Sequence, residues 1–324
     1  MFSFLGQYFA IGLSGTSLTK EEKEAIKKFQ FAGIILFSKN YESKKQLTQL
    51  CQEIQSYYLQ EFPCLIMTDQ EGGRVQRFKQ EFTLIPSLLN LSQTISPKEI
   101  FEIFFKASEE LKSCGIVMNL APCLDVVISY ETNKAIGDRS LGGDTQKVKS
   151  YGTAIVRAIE ESGLFSCSKH FPGHGRTSLD SHEELPIVDV SLTELEKSDL
   201  LPFVGAIKAR TSAIMMSHLL YKRQDPNFPV SLSPFWHQYL RKTLKFKGLI
   251  LTDDFEMKAI TDTIGTSQAT VAALKAGTDI VLFRSLETFL TDFVKIEAPL
   301  RSLLSGKTAL HQQASFWKNS YLKR

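Results

Sequence analysis

Three of the six histidines in this chain fall within thirteen residues, in the segment KHFPGHGRTSLDSH, as His170, His174 and His182. Imidazole suits acid and base work near neutral pH, and it is also a common metal ligand. The residues allow both chemistries. In one, Pro172, Gly173 and Gly175 bend the backbone so that Asp180 meets His182. A carboxylate there fixes the imidazole tautomer and raises its proton affinity, equipping His182 as general acid and general base. In the other, His170, His174, His182, His218 and Asp253 gather around a metal ion. Further along, Asp253 and Asp254 form an adjacent carboxylate pair after the apolar run LILT. Successive side chains of a strand point to opposite faces, so one carboxylate faces a pocket and can attack an anomeric carbon. The other points aside, to anchor backbone or cap a helix. Asp69, Arg139, Lys169 and His170 suit a polyhydroxylated ligand: a carboxylate accepts from two hydroxyls, and the cations donate charge-assisted hydrogen bonds.

These groups need elements that bring them together. Short apolar runs at 8–12, 33–37, 64–68, 116–120, 164–168, 213–217, 249–252 and 279–283 read as strands. Amphipathic segments at 20–29, 44–59, 97–114, 145–161, 193–209, 234–244 and 267–276 read as the helices between them. FAGIILF, SCGIVMNL, ESGLFSCSKH, FKGLILTDD and KAGTDIVLF each place a helix-ending glycine before a strand. Eight strands spaced by helices predict an α/β fold, a closed (β/α)8 TIM-type barrel with room for slight irregularity; a doubly wound sheet is the alternative. The prolines and glycines are scattered among loops and mark no linker. One catalytic domain is therefore expected over 1–324, with 285–324 forming terminal helical segments. In such a barrel the C-terminal strand ends converge on one mouth. Thr68-Asp69-Gln70-Glu71, Asn119 and Asp125, Ser168-Lys169-His170, Ser217-His218 and Thr252-Asp253-Asp254 all fall at such ends. Any one of these charges could be a salt-bridged loop anchor, whereas the set together argues for a site.

Composition narrows the function classes. The 324 residues are 43% hydrophobic and 23% charged, enough to build a core without disulfides or structural metal. The 38 Lys and Arg nearly balance 35 Asp and Glu, and the basic residues are dispersed, which argues against nucleic acid as a partner. The five cysteines form no C-x-x-C pair and have mostly apolar neighbours, so reduced thiols and a cytoplasmic location are expected. The apolar start, MFSFLGQYFAIGLSG, lacks a basic segment and reads as a first barrel strand rather than a signal peptide. No apolar run reaches membrane-spanning length, so no membrane partner is expected.

The segments ILFSKN, TDQEGGRVQRF, NLAPCLDV, IGDRSLGGD, SKHFPGHGRTSLDSH, AIMMSHLLY and LILTDDFEM closely resemble the family 3 glycoside hydrolases, in particular single-domain bacterial β-N-acetylhexosaminidases. The resemblance implies retaining exo-hydrolysis of terminal β-linked N-acetylglucosamine without metal or organic cofactor. By the family pattern, Asp253 is the nucleophile and His182 the acid/base, supported by Asp180. Asp69, Arg139, Lys169 and His170 hold the sugar, and Arg74 supports the pocket. The implied substrate is a small saccharide or muropeptide from peptidoglycan turnover, N-acetylglucosaminyl-1,6-anhydro-N-acetylmuramic acid with or without peptide, and a monomer is expected. The competing expectations are a β-glucosidase of the same family, a metal-dependent barrel hydrolase, and a sugar-binding barrel without catalysis. The chain departs from the pattern at Leu141, which replaces an aromatic, at Glu256, which replaces a small or polar residue, and at Arg176, which replaces an acidic one. Arg176 places positive charge in the catalytic loop, where it is expected to alter loop closure or the preference for an acidic leaving group.

Overall fold

The computed structural model describes residues 3–59, 63–127 and 133–304. Eight strands form a closed barrel: β1 (Phe9–Gly12), β2 (Gly33–Leu36), β3 (Leu65–Thr68), β4 (Met118–Asn119), β5 (Phe165–Phe171), β6 (Ala213–Met216), β7 (Leu249–Asp254) and β8 (Ile280–Phe283). Each strand pairs in parallel with its neighbours in sequence, and β1 closes the ring against β8 through Phe9↔Val281 and Ile11↔Phe283. The predicted barrel and all eight predicted strands are present, with shifted ends.

Alternation along each strand builds two apolar layers. Ile35, Leu65, Met67, Met215 and Leu282 belong to the cluster that fills the barrel. Their neighbours Ile34, Leu36, Ile66, Val281 and Phe283 belong to a shell packed outward against the helices. Strands covered on both faces need such continuous apolar runs. The helices begin at strong caps. α1 (Lys20–Phe29) starts with a Thr19–Glu22 capping box, and α3 (Pro97–Ser113) with a Ser96–Glu99 box and Pro97 in its first turn. α2 (Lys44–Gln55) and α4 (Thr145–Glu161) are capped by Ser43 and Asp144.

Several expectations change in detail. Gly115, Gly163 and Gly277 do follow helices with positive φ, as their motifs predict. After α1, however, the left-handed residue is Gln30, and Gly33 instead opens β2. There its missing side chain is needed, because a Cβ would lie 2.4 Å from the Met67 Cε. The helix expected over 193–209 is two, Leu192–Lys197 and α5 (Leu200–Lys208). The segment 234–244 begins as α6 (Pro234–Gln238) and continues as a π-helical turn, Tyr239–Thr243. α7 is Thr266–Ala276, and the C-terminal segment supplies α8 (Leu286–Leu304); residues 305–324 of the expected terminal segment lie outside the described residues. Among the described residues no helix is long and apolar enough to cross a membrane.

α8 packs on the barrel wall with Phe289 at the centre of an aromatic group. Phe289 is fully buried, with ring centroids 5.0–5.8 Å from Phe9, Phe29, Phe31 and Phe283. Phe289→Ala is expected to cost about 3–5 kcal/mol in denaturant unfolding. A loss below about 1 kcal/mol would show that the Phe289 ring does not anchor α8 to the barrel.

Candidate active site

The barrel mouth opens into a cavity of about 270 Å³ whose lining includes Asp69, Arg74, Arg77, Arg139, Lys169, His170, Asp180, His182, Asp253, Asp254 and Arg284. All eight residues expected at the site line it. Lys169 is buried, on the part of β5 that continues three residues beyond its predicted end. Its Nζ donates to Asp69 Oδ1 at 2.7 Å and lies 2.6 Å from Glu71 Oε1. Glu71 also accepts two hydrogen bonds from Arg139, at 2.8 and 2.9 Å, and Asp69 accepts from Arg77 at 2.9 Å. Burial opposes ionisation of both acids. The Lys169, Arg77 and Arg139 charges outweigh it, holding Asp69 well below the usual carboxylate range and Glu71 down to about 2. The same carboxylates outweigh desolvation at Lys169 and hold its ammonium above its ordinary value.

A third buried carboxylate organises the start of the His-rich segment. Asp125 Oδ2 meets His170 Nδ1 at 2.6 Å and accepts from the Cys123 thiol. Its Oδ1 accepts the backbone N–H groups of His170 and His174, at 3.2 and 2.7 Å. His170 therefore presents Nε2 to Arg139 at 3.3 Å. The loop then passes the segment after β4, where Gly175 lies so close to the Val126 carbonyl that a Cβ would come within 1.8 Å of its oxygen. Beyond it, Asp180 Oδ1 takes both the backbone N–H of His182, at 2.9 Å, and its Nδ1, at 2.8 Å. The expected pairing is present and leaves Nε2 of His182 outward. His182 is largely exposed, at 59% of its side chain, unlike the groups beneath it.

β7 carries Asp253 and Asp254. Asp253 Oδ1 accepts the Asp254 N–H at 2.8 Å. Burial would raise its pKa, but the His170 and His218 rings and that N–H favour the anion, and the net direction is down. Asp254 differs from expectation, since it also lines the cavity. Burial pushes its carboxyl up to about 6, with Arg284 Nε at 3.3 Å opposing in part. The Glu256 departure has a structural role: its carboxylate accepts the Ser285 N–H and the Thr288 hydroxyl at the start of α8. Arg74 lies at the rim, half-exposed, bonded to Asp138 and to the carbonyls of 134–136.

The metal reading fares differently. His218 is buried between Ser231 and the Asp254 carbonyl, His182 is paired with Asp180, and His174 bonds Ser181. Among the described residues, the group whose ligand atoms lie within 4.8 Å of one another is Cys123, Asp125 and His170, not the expected five. Hydrogen bonding between these three already accounts for their approach. Arg77 and Arg284 were not singled out from sequence, and Glu71 and Asp125 were placed at the mouth without a role. In the structure Gly72 and Gly73, both with positive φ, turn the hairpin Gln70–Gly72/Val75–Gln76 and bring Arg77 back beside Asp69.

Glu71→Gln leaves Lys169 and Arg139 with half their counter-charge in a buried setting, so it is expected to cost about 3–5 kcal/mol of stability at neutral pH. A depressed folded-state pKa stabilises above the ordinary carboxylate value and loses that contribution as pH falls through the folded one. The stability gap between wild type and variant should therefore close between about pH 4.5 and pH 2. Denaturant titrations across that range check both points.

Comparison with known proteins places this geometry. The family model for the glycosyl hydrolase family 3 N-terminal domain matches residues 5–312. A β-hexosaminidase of Nitrosomonas eutropha is 34% identical over 326 aligned residues, covering 96% of this chain and 92% of that protein. A family 3 β-N-acetylglucosaminidase of a Paenibacillus species superposes with a TM-score of 0.90 at 31% identity, over 100% of this chain and 61% of that one. Native NagZ of Neisseria gonorrhoeae superposes with a TM-score of 0.82 at 31% identity, over 97% of this chain and 89% of that one. With nearly the whole chain matched by both family and relatives, the chain belongs to glycoside hydrolase family 3.

Proposed function

We propose that this glycoside hydrolase removes terminal β-linked N-acetylglucosamine with retention of configuration, acting on N-acetylglucosaminyl-1,6-anhydro-N-acetylmuramic acid with or without attached peptide. The observation that carries the reading is that Asp253, the Asp180–His182 pair and the Asp69–Lys169 cluster line one cavity. Relatives named β-hexosaminidase and β-N-acetylglucosaminidase support the choice of sugar. Residues 1–324 act as one catalytic unit on this reading, with 285–324 as its helical end; the packing of α8 on β1 and β8 supports it. We assign the protein to the cytoplasm, in keeping with its five buried, unbridged cysteines and a substrate released by cell-wall turnover.

The steps follow from the groups present. Asp69, Lys169, Arg77, Arg139 and His170 hold the sugar hydroxyls. The Asp253 carboxylate, kept ionised, attacks the anomeric carbon while protonated His182 donates from Nε2 to the departing glycosidic oxygen. The C1–O bond breaks as the ester to Asp253 forms. Neutral His182 then takes a proton from water, whose oxygen attacks C1 and releases Asp253. Asp180 holds Nδ1 through both steps, so the proton always enters and leaves at Nε2.

Asp253→Ala should lower kcat/KM on an aryl β-N-acetylglucosaminide by at least about 10³-fold, as losing a covalent nucleophile does. His182→Ala should lower it by roughly 10²–10⁴-fold when the leaving group is poor. Near-wild-type turnover by Asp253→Ala would overturn the assignment. Equal turnover of the β-glucoside analogue by wild type would favour a β-glucosidase instead.

A further inference from the structure

The Asp180–His182 pair stands on a loop, and the question is what holds that loop over the cavity. Its first part is locked by the Asp125 contacts and by Gly175 beneath the Val126 carbonyl. Its far part touches the wall after β7, where the Ser181 carbonyl accepts the Ala259 N–H at 3.1 Å. Between these lies Arg176, four residues before Asp180. Its guanidinium is absent from the cavity lining and turns the other way. Nε donates to Asp199 Oδ2 at 2.8 Å, Nη2 to the Ser198 hydroxyl at 2.9 Å, and Nη1 to Glu194 Oε1 at 2.9 Å.

These contacts are unequal. Glu194 is exposed, and an ion pair in water contributes little. Asp199 is buried, and Ser198 Oγ donates to the same oxygen at 2.6 Å. Asp199 stands at the start of α5, whose Phe203 packs edge-on to Phe171, the last residue of β5. Arg176 thus ties the loop back to the helix that packs on the strand from which the loop departs. A planar guanidinium with three simultaneous donors fixes orientation as well as distance.

We propose that Arg176 is a positioning residue for proton transfer: by binding Asp199 and Ser198 it fixes the loop so that His182 meets the glycosidic oxygen. Of the two expected effects of Arg176, on loop closure and on an acidic leaving group, the proposal takes the first. The proposal rests on His182 being the acid/base. A general acid contributes only when held in reach of the oxygen it protonates, and small displacements are costly.

The test uses kcat/KM, which reports the glycosylation step, on aryl β-N-acetylglucosaminides with good and poor leaving groups. A dinitrophenyl leaving group departs without a proton, whereas an unsubstituted phenyl group needs one. Arg176→Met should lose roughly tenfold or more on the phenyl substrate, part of what a general acid supplies, and stay within about twofold of wild type on the dinitrophenyl one. Asp199→Asn should follow the same pattern, Arg176→Lys should recover part of the loss, and Glu194→Gln should match wild type. Melting temperatures taken alongside identify any variant that fails to fold, and the lysine and asparagine variants then carry the comparison. Equal loss on both substrates, or none on either, would overturn the proposal. If His182→Ala itself fails to discriminate between the leaving groups, it is the acid/base reading that falls.

Discussion

The arrangement turns on one buried ammonium. Lys169 lies between Asp69 and Glu71, with Arg77 and Arg139 completing the charges around those carboxylates. Taking such groups out of water is expensive, and the cost is met only if every member keeps its partners. That requirement fixes the ends of three strands relative to one another. Asp69 and Glu71 follow β3, Lys169 lies near the end of β5, and Arg139 arrives from the long segment after β4. Asn119 on β4 closes the set by bonding both backbone groups of Gln70. The barrel gives these strand ends a common mouth; the charges fix their spacing. A sugar placed there meets carboxylate oxygens and cationic donors already oriented by each other, so little reorganisation remains for binding.

The two halves of the proposed chemistry are built differently. Asp253 is part of a strand, half-buried, and its ionised form is favoured by fixed neighbours. His182 is exposed on a loop, and its tautomer is set by a residue two positions away. A nucleophile needs an invariant line of approach. A proton donor must serve a departing oxygen in one step and an incoming water in the next, and an exposed ring permits both. The neighbouring carboxyl of Asp254, raised by burial, shows that adjacency in sequence does not give equal electrostatics.

Much of this was legible in the residues. Eight apolar runs and their intervening amphipathic segments specify the barrel, because burial on both strand faces needs uninterrupted apolar residues. The Asp180–His182 contact was also readable, since a carboxylate two residues before a histidine can reach it within one turn. What escaped depends on distant chain. Asp125 orients His170 from forty-five residues away, and no local pattern announces such a bond. Arg77 was passed over for Arg74, which stands closer to the glycine pair, because only the folded hairpin reveals which arginine returns to Asp69. The strand-seven pair was read as one carboxylate in and one out by ideal alternation. The register of β7 shifts against β8 between Leu251 and Asp254, and that irregularity lets both line the cavity. The cis Lys169–His170 peptide leaves no trace in composition or spacing.

Placing the proposed acid/base on a tethered segment also sets the stability of the loop apart from that of the barrel. The loop is held by a handful of polar contacts, while the barrel is held by its packed interior and aromatic wall. Segments with few buried apolar contacts open at lower free energy than the body they are attached to. With the proposed roles, heating should therefore loosen the His182 loop while the barrel and its charge cluster are still assembled, and cooling should restore it without refolding the barrel.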